Sequence, residues 1–250
     1  MQLQDFYNRY HQKNAVYSKI ISRGNFTYFY ILELFDEILP ELTHHAKKIG
    51  QPIRVLDVGC GVGAVSLYLA KLGCRVVGID VSSDAVTIAQ GARKSAGLKN
   101  CVFAEGELGV GSGSFDLVIC SEIIEHIADQ DEFLRRVASQ LRPGGTLFLG
   151  TPSTETVLYK MGLLKQFDAE VGHLRRYSEA ELQDVIEKHG VAVEQIRSVE
   201  SPLRNVLFIT RAGWVIRFIR GPLIPVFHWI DRLLGVVLGH SDIQVIGKKR

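Results

Sequence analysis

The chain is short of every feature that would place it outside ordinary α/β proteins. It has four cysteines in 250 residues, Cys60, Cys74, Cys101 and Cys120, and no C-x-x-C pair. That argues against a disulfide scaffold or a cysteine–zinc site; each thiol lies in or beside an apolar, strand-like run and reads as a small buried hydrophobe in a reducing compartment. Charge of either sign is not in excess. With 29 Lys and Arg against 27 Asp and Glu the net charge is +2, and without a basic stripe no nucleic-acid partner is expected. The opening "MQLQDFYNRYHQK" has no apolar core of the kind a secretory signal needs, so the expected location is the cytoplasm. Long apolar runs are also missing. In the greasy stretch 203–239 the longest uncharged run is "GPLIPVFHWI", interrupted by two prolines, well short of the ~20 residues that span a bilayer.

What is present is alternation. Strand-like runs occur at "PIRVLDVG", "CRVVGID", "NCVFAEG", "SFDLVIC" and "GTLFLGT". Between most of them lie helical stripes: Val65, Leu69 and Leu72; Ala85, Ala89, Ala92 and Ala96; Phe133, Leu134, Val137 and Leu141. A helix between two strands cannot be closed by a hairpin, so the strands must be parallel with right-handed crossovers. This predicts a doubly wound α/β fold with helices on both faces of the sheet. Ahead of it, Ile31, Leu34, Phe35, Ile38, Leu39 and Leu42 form an amphipathic helix expected to bend or restart at Pro40. Ser178 and Glu181 form a capping-box pattern for "ELQDVIEKH", which Gly190 closes. With 46% apolar residues and no repeat or linker, the chain reads as one domain, 1–250.

The stretch "VLDVGCGVG", Val55 to Gly63, runs a buried strand into a loop with glycine at every second position, a backbone bared for a ligand. It satisfies the dinucleotide fingerprint, and Asp80 at the end of the next strand could hold a ribose. Asp57, two residues ahead of the first glycine, is an awkward neighbour for a pyrophosphate. It suits a ligand with an ammonium and no phosphate, such as S-adenosylmethionine.

"VLDVGCGVG", "VVGIDVS", "SFDLVICSEIIEHI" and "LRPGGTLFLGTPS", in that order and at those separations, resemble class I S-adenosylmethionine-dependent methyltransferases. Within that family "SEIIEHI" followed by "GHLRRYSEAEL" is most similar to the small-molecule branch that includes the ubiquinone-pathway O-methyltransferases. The resemblance implies a Rossmann-like seven-stranded sheet, mostly parallel, whose last strand, "SDIQVIGKK", inserts antiparallel near one edge. It divides the chain into an N-terminal helical lid (1–50), a cofactor-binding core (51–150), a substrate-side segment (151–200), an apolar helical insertion (201–239) and the last strand (240–250). It also implies that Asp57, Gly59, Gly61 and Gly63 surround the methionine end of S-adenosylmethionine, with Asp80 on its ribose and Glu107 beside its adenine, where the family often has Asp. Cys60, Val81 and Ser121 are further cofactor-binding candidates.

Methyl transfer needs in-line alignment, exclusion of water and removal of a proton from the acceptor, for which His126 and His173 are the expected bases. Glu122, Glu125 and His126, spaced i, i+3, i+4, would share one face of a helical turn. Some relatives use such a set, completed by a second histidine, to hold a divalent metal, and His173 is the candidate here. Bracing of the cofactor loop is the competing role. Arg175 and Arg176 could recognise an anionic acceptor or be bridged to neighbours. Tyr7, Tyr10 and His11 could close over the cofactor or simply pack.

The expected activity is O-methylation of a small acceptor, phenolic or lipid-linked. An N- or C-methyltransferase, an NAD(P)-dependent oxidoreductase and a catalytically silent binding module are the alternatives. Residues 203–239 carry Trp214, Phe218, Phe227 and Trp229 with Arg204, Arg211, Arg217, Arg220 and Arg232. They suit a peripheral membrane contact, a pocket for a greasy substrate, a hairpin over the sheet or a homodimer surface.

Overall fold

Strand β1 (Arg54–Val58) buries every residue after its first, as a strand covered on both faces must. A computed structural model describes residues 21, 27–111, 113–209 and 223–250. Tyr7, Tyr10, His11, Arg211, Trp214, Arg217, Phe218 and Arg220 lie outside the described residues. Helix α1 (Phe29–Ile49) precedes β1. Then follow α2 (Ala64–Lys71), β2 (Arg75–Asp80), α3 (Ser83–Ser95), β3 (Cys101–Glu105) and β4 (Phe115–Ser121), a 3₁₀ turn (Ile124–His126), α4 (Gln130–Gln140) and β5 (Leu141–Pro152). The second half contains α5 (Val157–Lys160), α6 (Lys165–Val171), α7 (Glu179–Glu187), β6 (Val191–Val199), α8 (Pro202–Ile209), α9 (Leu223–Leu238) and β7 (Asp242–Lys249).

The sheet has seven strands in the order β3-β2-β1-β4-β5-β7-β6. The pairs from β3 through β5 are parallel. Strand β7 lies antiparallel between β5 and β6, as expected of the last strand. Helices α1, α2 and α3 pack with Val55, Leu117, Ile119 and Phe148 on one face; α4 and α7 pack with Leu56, Val118, Cys120 and Leu149 on the other. The fold is the doubly wound, Rossmann-like sheet. Strand order reverses beside β1, which opens a crevice at the carboxyl edge where ligands of such sheets bind.

The expected capping box at Ser178 and Glu181 is present, with both reciprocal bonds formed. Four local expectations are corrected. Pro40 lies inside α1 rather than dividing it, because Leu34, Phe35, Ile38 and Leu42 on both sides of it bury against the same sheet face. Leu72 falls beyond the last residue of α2 and is exposed, while Leu67 takes the buried place. In α3 the buried positions are Ala85, Val86 and Ala89, and Ala96, past the helix end, is exposed. In the apolar insertion Arg204 is fully buried rather than displayed. All four cysteines are free thiols.

Candidate functional site

The glycine loop leaves β1 at the crevice. Gly59, Gly61 and Gly63 have φ of 67°, 52° and 79°, left-handed conformations that glycine adopts without a Cβ penalty. A Cβ at Gly59 would collide with Ile123, and one at Gly63 would lie 2.8 Å from the Phe103 ring. The alternate glycines are therefore demanded by backbone conformation, and at two of them by packing as well. Asp80, at the end of β2, ties the loop down: its Oδ2 accepts from Gly61 N and its Oδ1 from Ser82 N, each at 2.8 Å. Each oxygen keeps a further lone pair for a ligand hydroxyl.

Asp57 is buried and accepts a 2.6 Å bond from Ser66 Oγ. Burial pushes its carboxyl up to about 7; the Ser66 bond opposes this and the Asp80 charge adds to it. Cys60 is half-buried beside Gly61 O, and burial with the Asp57 and Asp80 charges raises its pKa far enough that it stays a thiol. Val81 follows Asp80, Ser121 ends β4, and Glu107 stands exposed in the segment after β3. All the cofactor-side residues expected from the sequence thus lie at the carboxyl ends of four adjacent strands, β3, β2, β1 and β4.

Beyond Ser121 the chain does not make the helical turn that the i, i+3, i+4 spacing suggested. Glu122 has φ of 56°, and a 3₁₀ turn follows. This throws Glu122 to the exposed side while Glu125 is fully buried. The donor atoms of Glu125, His126 and His173 lie within 4.8 Å of one another, and Glu122 stands outside that set.

The bonds behind these three side chains orient them. Thr151 Oγ1 donates to Glu125 Oε2 at 2.9 Å, and Glu125 Oε1 is buried without a hydrogen-bond partner. His126 Nδ1 lies 3.1 Å from Gly172 O and His173 Nδ1 3.0 Å from Asp168 Oδ1. A carbonyl and a carboxylate only accept, so both Nδ1 atoms carry hydrogen, and in the neutral rings each Nε2 holds the lone pair. The segment carrying His173 is laced to the turn by Leu174 N donating to Glu125 O at 2.8 Å.

Charges divide the two histidines. Burial, with His173 alongside, lowers the His126 pKa to about 4 despite its bond to Gly172, and burial raises Glu125 to about 8 against the Thr151 bond. Burial raises Asp168 as well, yet bonds from His173 and Arg176 outweigh it and hold its carboxyl below the ordinary range. Arg176 grips Asp168 with Nη2–Oδ1 at 2.6 Å and Nε–Oδ2 at 3.0 Å. Arg175 bonds Gln130 and the Ala128 carbonyl. Both arginines are thereby committed to protein partners.

Spacing had pointed to Glu122, Glu125 and His126, and the resemblance had added His173. It was silent on Thr151 and Ser66. Asp168, five residues ahead of His173 with Gly172 between, carried only the weak signal of an acid near a histidine.

A family model described as a methyltransferase domain matches residues 30–196. The ubiquinone biosynthesis O-methyltransferase of Rhizobium johnstonii is 40% identical over 102 residues, covering 40% of this chain and 41% of that protein. The mitochondrial ubiquinone biosynthesis O-methyltransferase of Mus musculus is 29% identical over 170 residues, 62% of this chain and 45% of that protein. The chain thus spans less than half the length of these curated relatives. Among solved structures, phosphoethanolamine N-methyltransferase 2 of Haemonchus contortus, in complex with S-adenosyl-L-methionine, has a TM-score of 0.62 at 18% identity. That match covers 79% of this chain and 49% of the other, a likeness of fold.

Proposed function

Because this chain belongs to the methyltransferase-domain family, whose model matches two thirds of it, we propose that it transfers the methyl group of S-adenosylmethionine to an oxygen of a small acceptor. The observation that carries the reading is the meeting, at one edge of the sheet, of a left-handed glycine loop tied to Asp80 with the Glu125, His126 and His173 cluster. The names of the curated relatives favour oxygen as the acceptor atom.

The residues present fit the cofactor. The bared glycine backbone and Asp57 would hold its methionine end, and Asp80 would accept from its ribose hydroxyls. When bound, S-adenosylmethionine supplies a methyl group already activated by the sulfonium, so the protein's task is to align, dehydrate and take a proton. His173 takes that proton at Nε2 while Asp168, gripped by Arg176, fixes the ring and steadies the cation that forms. His126, with its depressed pKa, is the poorer base and serves to pack and orient His173, their ring centroids being 4.9 Å apart.

The orphaned Glu125 Oε1 favours a second reading, in which Glu125, His126 and His173 hold a divalent ion. Such an ion would lower the pKa of an acceptor hydroxyl without a protein base. One assay separates the two: labelled methyl transfer to phenolic, lipid-linked and sugar acceptors, before and after exhaustive chelation. With His173 as the base, activity survives chelation, and His173→Gln lowers kcat by about 10²-fold or more while S-adenosylhomocysteine affinity is unchanged. Activity lost to chelator and restored by magnesium, manganese or zinc would replace the base with the ion. No transfer to any acceptor, with cofactor bound, would leave a binding module.

The Asp57 pKa sets a pH dependence for cofactor binding. An ammonium pairs with the carboxylate and not with the acid, so below about pH 7 the free protein must release a proton before it can bind. Affinity for S-adenosylhomocysteine, measured by calorimetry, is expected to be flat above pH 8 and to fall about tenfold per unit below 7. Asp57→Asn should flatten the profile, and a wild-type profile already flat from pH 5 to 8 would remove Asp57 from the ammonium.

No helix among the described residues is long and apolar enough to cross a membrane. Of the roles open to residues 203–239, the outward apolar face of α9 favours a surface contact over a pocket wall.

A further inference from the structure

The parallel sheet sorts charge by chain direction. Helices α1, α2 and α3 each lead into a strand, so their last turns and the starts of β1, β2 and β3 meet at the amino edge, opposite the glycine loop. The segments that make these three turns, "THHAKKIGQPIR" (43–54), "KLGCR" (71–75) and "RKSAGLKN" (93–100), contain no acid. They expose Lys47, Lys48, Arg54, Lys71, Arg75, Lys94 and Lys99. The acids beside them are already matched: Asp116, which accepts from Arg54 N, by Arg142 at 2.6 Å, and Glu41, earlier in α1, by Lys248 at 2.8 Å. Helix dipoles account for cations in a last turn, as at Lys47, Lys48, Lys71 and Lys94. They do not account for Arg54, Arg75 and Lys99, which stand on the strand side of the turns. A near-neutral chain has thus gathered one sign of charge on one edge, where like charges repel and an anionic partner is attracted.

The turns are laced into one surface. Asn100 Nδ2 donates to the Ala70 and Cys74 carbonyls at 2.6 and 2.7 Å, and Arg75 N donates to Ile53 O at 2.8 Å. Between the first two turns lies a cavity of about 280 Å³, whose lining includes Ala46, Lys47, Ile53, Leu72 and Cys74. Leu72 is 55% exposed, and Ile49, next to Gly50 of the cavity wall, is 51% exposed. The edge therefore offers an apolar hollow among unpaired cations.

Together, hollow and charge select the occupant. A nucleic acid would meet the cations but has no use for an aliphatic hollow, and the three segments contain no Phe, Tyr or Trp on which a base could stack. A protein interface uses both, an apolar centre within a charged rim. We propose that the amino edge of the sheet binds a partner protein through an acidic segment that inserts one apolar side chain beside Leu72. Opposite charge steers the encounter, and the hollow fixes the register. Docking there leaves the carboxyl edge open to cofactor and acceptor and is independent of the methyl-transfer reading.

The test is fluorescence anisotropy of the full chain with a labelled peptide of alternating Glu and Asp around one central Leu, and with the same peptide carrying Gly at the centre. Two variants serve as comparisons. Arg75→Glu, Lys99→Glu reverses charge without touching a helix, and Leu72→Gln makes the wall of the hollow polar. S-adenosylhomocysteine affinity and the thermal midpoint are measured on the same samples and should not change.

Wild type should bind the leucine peptide about tenfold or more tightly than the glycine peptide, and added salt should weaken both. The charge-reversed variant should lose about tenfold or more for both peptides. Leu72→Gln should lose the preference for leucine and keep its affinity for the glycine peptide. Wild type that ignores both peptides overturns the proposal, as does equal affinity for the two, or a charge-reversed variant that binds as wild type does. Duplex RNA or phosphatidylglycerol vesicles that displace the leucine peptide, and do so equally from Leu72→Gln, also overturn it, because a polyanion or a lipid surface would then be the occupant. Failure of wild type to bind S-adenosylhomocysteine would instead strike the methyl-transfer reading and leave the docking result standing.

Discussion

Asp231→Ala is expected to destabilise the protein by about 3–5 kcal/mol, the range for removing one partner of a buried ion pair. Asp231 and Arg204 are both fully inaccessible, and the carboxylate also serves Tyr30 and Ser201. Its loss strands a guanidinium and three other donors in the interior. Glu200, whose Oε1 lies 3.2 Å from Arg204 Nη1, retains part of the pairing and should hold the cost toward the lower end. Urea unfolding with an unchanged slope measures it. The double change Arg204→Met, Asp231→Leu should recover most of the loss, since removing both charges removes the desolvation penalty along with the attraction. A cost below about 1 kcal/mol for Asp231→Ala would show that water or Glu200 already satisfies Arg204 and that the web does not hold α9 with its apolar face outward.

Asp80→Ala is expected to weaken S-adenosylhomocysteine binding by about 1.5–3 kcal/mol, the range for hydrogen bonds to a charged group, or roughly 10- to 150-fold. Two effects act together. The variant loses the acceptor proposed for the ribose hydroxyls, and it frees Gly61 N and Ser82 N, so the loop loses its anchor to β2. Calorimetry with S-adenosylhomocysteine and, in parallel, NAD(P)H reads it, with circular dichroism to confirm folding. Unchanged affinity would take Asp80 out of the cofactor site. Wild type that binds the dinucleotide and not the homocysteine derivative would reverse the choice made from Asp57.

The glycine loop was legible because its determinants are local. A glycine at every second position is a statement about φ, which neighbouring atoms decide, and all three glycines are left-handed as that spacing implies. The cluster of Glu125, His126 and His173 was legible only in its residue types. Glu122, Glu125 and His126 looked like one face of a helix; a positive φ at Glu122 and a 3₁₀ turn parted them, because spacing assumes a helical period that the backbone there does not keep. His126 and His173 were equal candidates until Asp168 appeared behind one and a backbone carbonyl behind the other.

The amino-acid order by itself determined the strand–helix alternation, the parallel strands and the glycine loop, which follow from apolar period or allowed backbone conformation over a few residues. The late antiparallel strand was implied only by the family resemblance. Only the tertiary structure decided which histidine has a carboxylate behind it, that Arg204 is buried, and which side of α9 meets solvent. Those outcomes depend on partners far apart in the chain, Tyr30 and Asp231 being 201 residues apart. An arginine that reads as surface charge goes inside only where folding brings a buried acid to meet it.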